Sequence, residues 1–239
     1  ARRQRQMCIR DSIYIGKQSS YVLKKIKKIL KKNRSKIIYP NLWKLIKKKH
    51  QFYYQDKKTK IKLNTKNVYS KGMLENVCLA IKVALDLNIK KKIIQKTLPK
   101  LSFVGRFQYL NKGKIKNKLC RNENILIDGA HATTDAKNLA SYLKNITIPK
   151  SGIWAMMKNK EPDLFIKQLK GIFKKVVTMP IENESNSFSA HNLYKIATKN
   201  KFKSEKSNSF KEALKKISSN EKKLIVCFGS LYNLSLIHI

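Results

Sequence analysis

The chain has 239 residues, 42% of them hydrophobic, with 54 lysines and arginines against 14 acidic residues, a formal net charge of +40. That length and apolar content suit one large or two modest globular domains and exclude a disordered chain. No run approaches the ~20 apolar residues of a membrane span and no leader pattern opens the sequence, so a cytoplasmic protein without a membrane partner is expected.

Residues 1–12 share neither the periodicity nor the composition of the rest of the chain and are read as non-native or disordered. In residues 21–32, Val22, Ile26, Ile29 and Leu30 recur three and four apart, which predicts an amphipathic helix with a solvated lysine face. Strands are predicted at 36–39 and within 50–63, the second a hairpin with a polar turn near residues 56–59. Leu74, Val77, Cys78, Ile81, Ala84 and Leu85 share one face of a predicted helix over 73–87. A shorter helix comes next at 89–97 and is ended by Pro99. Residues 98–107 read as a connector, which places a domain boundary near residue 107.

Beyond that point strands and helices alternate. A strand at 124–128 precedes a helix at 134–146, with Ala136, Leu139, Ala140 and Leu143 on one face. A strand at 152–157 precedes a helix at 162–173 that opens on Pro162. A strand at 175–180 precedes a helix at 190–199, and an edge segment near 201–205 leads to a helix at 209–219 with the capping box Ser209-x-x-Glu212. A last strand at 223–228 delivers Gly229 and Ser230 to the start of a further helix. This alternation predicts βαβ units, an α/β class and a compact Rossmann-like domain with a mostly parallel sheet flanked by helices. Residues 235–239 are a doubtful tail.

In such sheets ligands bind past the carboxyl ends of the strands. Asp128, His131, Lys158, Lys160, Gly229 and Ser230 all come just after strand ends, and Arg106 lies in the connector before the first of them. A guanidinium fork suits phosphate oxygens and an acidic side chain after a strand can accept ribose hydroxyls. The blander alternative is a strand-end Asp128 capping the next helix, with His131 on the surface. No G-x-x-x-x-G-K-[ST] and no G-x-G-x-x-G is present, so these residues make half of a nucleotide site. Cys8, Cys78, Cys120 and Cys227 have no C-x-x-C spacing, which argues against zinc and against a disulfide framework. Only seven of the basic residues are arginine and the lysines run through nearly every segment. A specific nucleic-acid partner is therefore not expected, since base readout favours arginine. The alternative of a basic nucleic-acid-binding module would show as steep salt dependence.

Five motifs in order resemble the C-terminal part of the folylpolyglutamate synthase/dihydrofolate synthase family, within the Mur-ligase superfamily. Leu74-Glu75-Asn76 and the residues after it are similar to the family's Q-x-x-N-A-x-x-A helix. Gly105-Arg106-Phe107-Gln108 is similar to its G-R-[FL]-[EQ] connector, and Asp128-Gly129-Ala130-His131 to its D-G-A-H-N-P. Met156 to Glu161 resembles its G-M-x-x-D-K-D loop, and Gly229-Ser230-Leu231-Tyr232 its closing G-S-L-Y. The resemblance implies residues 13–98 as the C-terminal part of a P-loop-type central ATPase domain, 99–106 as connector and 107–234 as the Rossmann-like C-terminal domain. It implies a monomeric, ATP-dependent ligase of folate biosynthesis and one-carbon metabolism that joins L-glutamate to a folate or dihydropteroate carboxylate through an acyl phosphate. Asn76 would lie against adenine, Arg106 on the phosphates, Asp128 and His131 on the ribose, with Ser230 lining the same cleft. Arg106 and His131 are the catalytic candidates. Magnesium is implied, with its protein ligands upstream of residue 1, as is the phosphate loop.

Three departures stand out. Gly72-Met73 replace the family's His-Gln, Ala132-Thr133 replace the Asn-Pro after the histidine, and Ala155 and Asn159 alter the fourth motif. The chain alone is expected not to turn over. Another Mur-type amino-acid ligase is the nearest enzymatic alternative, and a degenerate paralogue without catalysis is a further one.

Overall fold

The structure, a computed structural model, describes residues 12–31, 35–65 and 68–232. The expectations for residues 1–11 and 235–239 lie outside them. The chain divides into two compact units, residues 1–101 and 102–239. Residues 102–106, read from sequence as connector, thus go with the second unit.

In the first unit, β1 (Ser12–Tyr14) and β2 (Lys36–Ile38) pair in parallel, with α1 (Ser20–Leu30) between them in sequence. Ser19 caps α1 by accepting the amide of Val22. β3 (Trp43–Lys48), β4 (Gln51–Asp56) and β5 (Lys60–Lys62) form an antiparallel meander. The expected hairpin is β4–β5. One Asp56 oxygen accepts the amides of Lys58 and Thr59 at 2.9 and 2.7 Å, an Asx turn. The other accepts the hydroxyl of fully buried Tyr54 at 2.7 Å. β3 escapes the sequence pattern, because its apolar alternation breaks at Leu45-Ile46 and is swamped by lysine. Helix α2 (Lys71–Asp86), capped by Ser70, buries Leu74, Val77, Cys78 and Ile81 in the core with Trp43 and Ile61. α3 (Lys91–Thr97) completes the unit.

The second unit contains β6 (Gln108–Tyr109), β7 (Glu123–Asp128), α4 (Thr133–Lys144), β8 (Lys150–Trp154) and α5 (Pro162–Lys167). After them come β9 (Lys175–Thr178), α6 (Ala190–Lys199), β10 (Ser204–Lys206), α7 (Phe210–Ile217) and β11 (Lys223–Phe228). The sheet order is β10-β9-β8-β11-β7-β6, parallel except for the edge strand β6. This is the mixed α/β fold with a mostly parallel sheet flanked by helices that the alternation predicts. α4 buries the four residues expected on its inner face. α5 is shorter than the 162–173 reading, because the chain turns after Lys167 and Gly171 takes a left-handed φ of 76°. In α7 the Ser209 hydroxyl accepts the amide of Glu212, while the Glu212 carboxylate reaches Asn208 rather than closing a full capping box. No helix among the described residues is long and apolar enough to cross a membrane.

Register levels the carboxyl ends of the parallel strands. Phe228 pairs with both Asp128 and Trp154, Trp154 with Thr178, and Thr178 with Lys206. The amino end of β7 is tied differently. The fully buried Glu123 carboxylate accepts the amides of Cys120 and Ser219 and the hydroxyl of Ser218, and lies 3.6 Å from the Lys223 ammonium. Lys223 in turn donates to the Ile217 carbonyl and the Ser219 hydroxyl, both at 2.6 Å. Removing one partner of a satisfied buried pair strands the other. Glu123→Ala is therefore expected to cost about 3–5 kcal/mol of unfolding free energy, measured by urea denaturation.

Candidate functional site

Asp128 ends β7 and is only 2% exposed. Its two oxygens are both engaged: one accepts the amide of Phe107 at 2.9 Å, the other that of Ala130 at 2.8 Å. The side chain is thus bound into the protein rather than projecting into an open crevice as the motif suggests. Burial pushes its pKa up, against the pull of the two amides and of the Arg106 charge.

Around this carboxylate the G-R-F-Q and D-G-A-H motifs interlock. Gly129 donates to the Gly105 carbonyl at 2.7 Å, and the Gly105 amide donates to Oε1 of Gln108 at 2.8 Å. Gly105 and Phe107 are both left-handed, with φ of 68° and 49°. For phenylalanine that backbone is strained, by about 1–2 kcal/mol. Its amide is held by Asp128 and its ring packs edge-on against Tyr142, centroids 5.0 Å apart. Arg106 is pinned between these two residues. Its Nη1 lies 3.8 Å from Oδ2 of Asp135 in the first turn of α4.

His131 is half-buried two residues past the turn, with Nδ1 2.9 Å from the Gly129 carbonyl. A carbonyl only accepts, so Nδ1 carries the proton and Nε2 is left to meet a ligand. Ser230 is buried just past β11, the neighbour of β7, and its hydroxyl accepts the amide of Tyr232 at 3.1 Å. Gly229 has a φ of 106°, and a Cβ there would stand 2.2 Å from the Ala155 carbonyl, so no side chain fits. Residues 231–232 are in 3-10 conformation; the rest of the further helix expected there lies outside the described residues.

The structure thus places Asp128 and His131 at the turn from β7 into α4, joins to it the loop before β6 that carries Arg106, and sets Ser230 on the adjacent strand end. Lys158 is exposed, its ammonium on the Ser185 carbonyl at 3.2 Å, and Lys160 is half-buried. Asn76 belongs to the first unit, on the α2 face that lines an open, largely apolar hollow with Leu79, Val83 and Leu87. Asp135 does not stand out in the sequence. Its only signal is an acid in the first helical turn, which the helix dipole alone would explain.

The Ala132 departure has a visible consequence. Ala132 is the N-cap of α4 and offers no side-chain acceptor, whereas α1, α2, α6 and α7 are each capped by a serine. Ala132→Asn is expected to stabilise the chain by about 0.5–2 kcal/mol, read as a rise in the melting temperature. Asp128→Asn points an amide donor at a main-chain donor, leaving one buried N–H unpaired. It should cost about 1–3 kcal/mol and speed hydrogen exchange at the Phe107 amide.

The model of the family "Dihydrofolate synthetase, C-terminal domain" matches residues 111–237. No curated protein matches. Among solved structures, Mycobacterium tuberculosis folylpolyglutamate synthase complexed with ADP aligns with a TM-score of 0.81 at 13% identity, over 95% of this chain and 54% of that one. Escherichia coli FolC in complex with DHPP and ADP gives 0.77 at 14% identity, over 95% and 52%. The Yersinia pestis bifunctional folylpolyglutamate synthase/dihydrofolate synthase with Mn, AMPPNP and L-glutamate bound gives 0.71 at 15%, over 90% and 51%. The chain spans about half the length of these structures, and at such identities the likeness is one of fold. With the family model covering more than half of its residues, the chain belongs to the dihydrofolate synthetase C-terminal-domain family.

Proposed function

We propose that the chain supplies part of the site of an ATP-dependent ligase that joins L-glutamate to a carboxylate of a folate or pteroate. The γ-phosphoryl group of ATP passes to the acceptor carboxylate, giving an acyl phosphate and ADP. The glutamate amine then attacks the acyl carbon, phosphate leaves, and the amine loses a proton as the amide forms. Such chemistry asks the protein for positioning and charge neutralisation. The observation that carries the reading is the interlock of two loops at the end of β7, one carrying Arg106 and fastened to the buried Asp128, the other carrying His131. Family membership supports it, as do the ADP, DHPP, AMPPNP and glutamate held by structures of the same fold.

Within this reading Arg106 takes phosphate oxygens in its fork and Nε2 of His131 accepts a ribose hydroxyl. Asp128 acts chiefly by holding the Arg106 loop, with any ribose contact secondary to its two amide bonds. Ser230 stands at the neighbouring strand end, and Asn76, on α2 of the first unit, is the proposed adenine contact. Among the described residues no group of three or more His, Cys, Asp or Glu is placed to hold a metal ion. The divalent metal of the reaction, magnesium, therefore has no such ligand group among the described residues. The phosphate-cradling glycine loop is likewise absent from the 239 residues.

The chain alone should bind adenine nucleotide without sustained turnover. With dihydropteroate or folate, L-glutamate and Mg-ATP, ADP release is expected to stay at background. ADP should at the same time shift the NMR resonances of Arg106 and His131. Robust turnover would overturn the part-site reading, and an unperturbed Arg106 would overturn its assignment.

A further inference from the structure

We infer that Asp135 is the resident anion of Arg106, displaced when a phosphate group arrives, so that it sets the anion affinity of the site. The inference rests on the reading of Arg106 as a phosphate contact.

Arg106 Nη1 and Asp135 Oδ2 are 3.8 Å apart, and the two side chains are 32% and 33% exposed. That distance is too long for a hydrogen bond, so the tether is electrostatic, single-point and reachable by solvent. A guanidinium has five donors in a planar fork, and one distant carboxylate oxygen leaves most of them unmatched. A phosphate group can take two at once. Among the described residues the other six ion pairs are made by lysine, and only this one by arginine. In a chain with 47 lysines and 14 acids, placing an aspartate beside Arg106 specifically lowers the local positive field. Asp128, the other acid nearby, cannot serve as the exchangeable anion, since both its oxygens are held by amides.

Exchange needs little motion. The Arg106 backbone is fixed by the Gly105 and Phe107 contacts, and Asp135 by its place in α4, so only side chains turn. Once released, Asp135 stays in the first turn of a helix, where a negative charge is favoured. An exposed pair of this kind is weak, which bounds the competition to about two- to five-fold in affinity.

The test is isothermal titration of the full chain at low salt with ADP and with tripolyphosphate, using wild type, Asp135→Asn, Asp135→Glu, Arg106→Gln and the Arg106→Gln/Asp135→Asn pair. Asp135→Asn is expected to tighten both ligands by about two- to five-fold, Asp135→Glu to stay near wild type, and the gain to vanish without Arg106. If Arg106→Gln weakens ADP while Asp135→Asn leaves affinity unchanged or lowers it, Asp135 is no competitor and the inference falls. A gain that persists in the double variant also overturns it, as a general field effect. If Arg106→Gln leaves ADP affinity unaltered, or no variant binds, the phosphate reading of Arg106 fails and the inference with it. Thermal melts of each variant confirm that a folded protein is compared.

Discussion

The carboxylate of Asp128 is held in a nearly water-free position at the end of β7, where an unpaired charge would be prohibitive. Two main-chain amides and the nearby Arg106 guanidinium offset that cost. The same bonds force Phe107 into a left-handed backbone that it would not adopt unaided. Strain and clamp belong together: the loop keeps one conformation because several contacts over-determine it. Arg106 inherits its position from residues on either side of it, and so does any anion it meets.

β7 carries a buried carboxylate at each end, Glu123 first and Asp128 last. In a protein with so few acids, these two are spent on fixing one strand rather than on balancing surface charge. Glu123 ties the strand's start to the turn before β11, through Ser218, Ser219 and Lys223. Asp128 ties its end to the segment before β6. β7 is thereby pinned at its amino end by one network and at its carboxyl end by the other. Many of the remaining acids pair with surface lysines, where each contributes little.

Much of this is legible in the order of residues. Apolar runs bounded by polar turns locate β7, β8, β9 and β11. The helical spacing of Leu74–Ile81 and Ala136–Leu143 locates α2 and α4 together with their buried faces. What escapes are elements whose stability is purely tertiary. β3 is half lysine and exists because β4 pairs with it; β6 is two residues long and exists because β7 does. In the site, the motifs point to Arg106, Asp128 and His131 and to the edge they share. They do not reveal that Asp128 faces the backbone, because a period-two pattern says which side of a sheet a residue lies on, not which amide it finds. The Arg106–Asp135 pair spans a loop and a helix start with no shared periodicity, so only coordinates bring it out.

The last strand of the second unit, β11, lies in the middle of its sheet, flanked by two strands that precede it. A nascent chain that has made everything up to α7 still has an empty central slot between β7 and β8. Phe228, stacked between Phe173 and Trp154, arrives only with β11. Until it does, two apolar strand flanks stand unpaired, the kind of exposed edge on which other chains assemble. The growing polypeptide therefore passes through an interval with its sheet open at the centre, and insertion of β11 is the event that ends it.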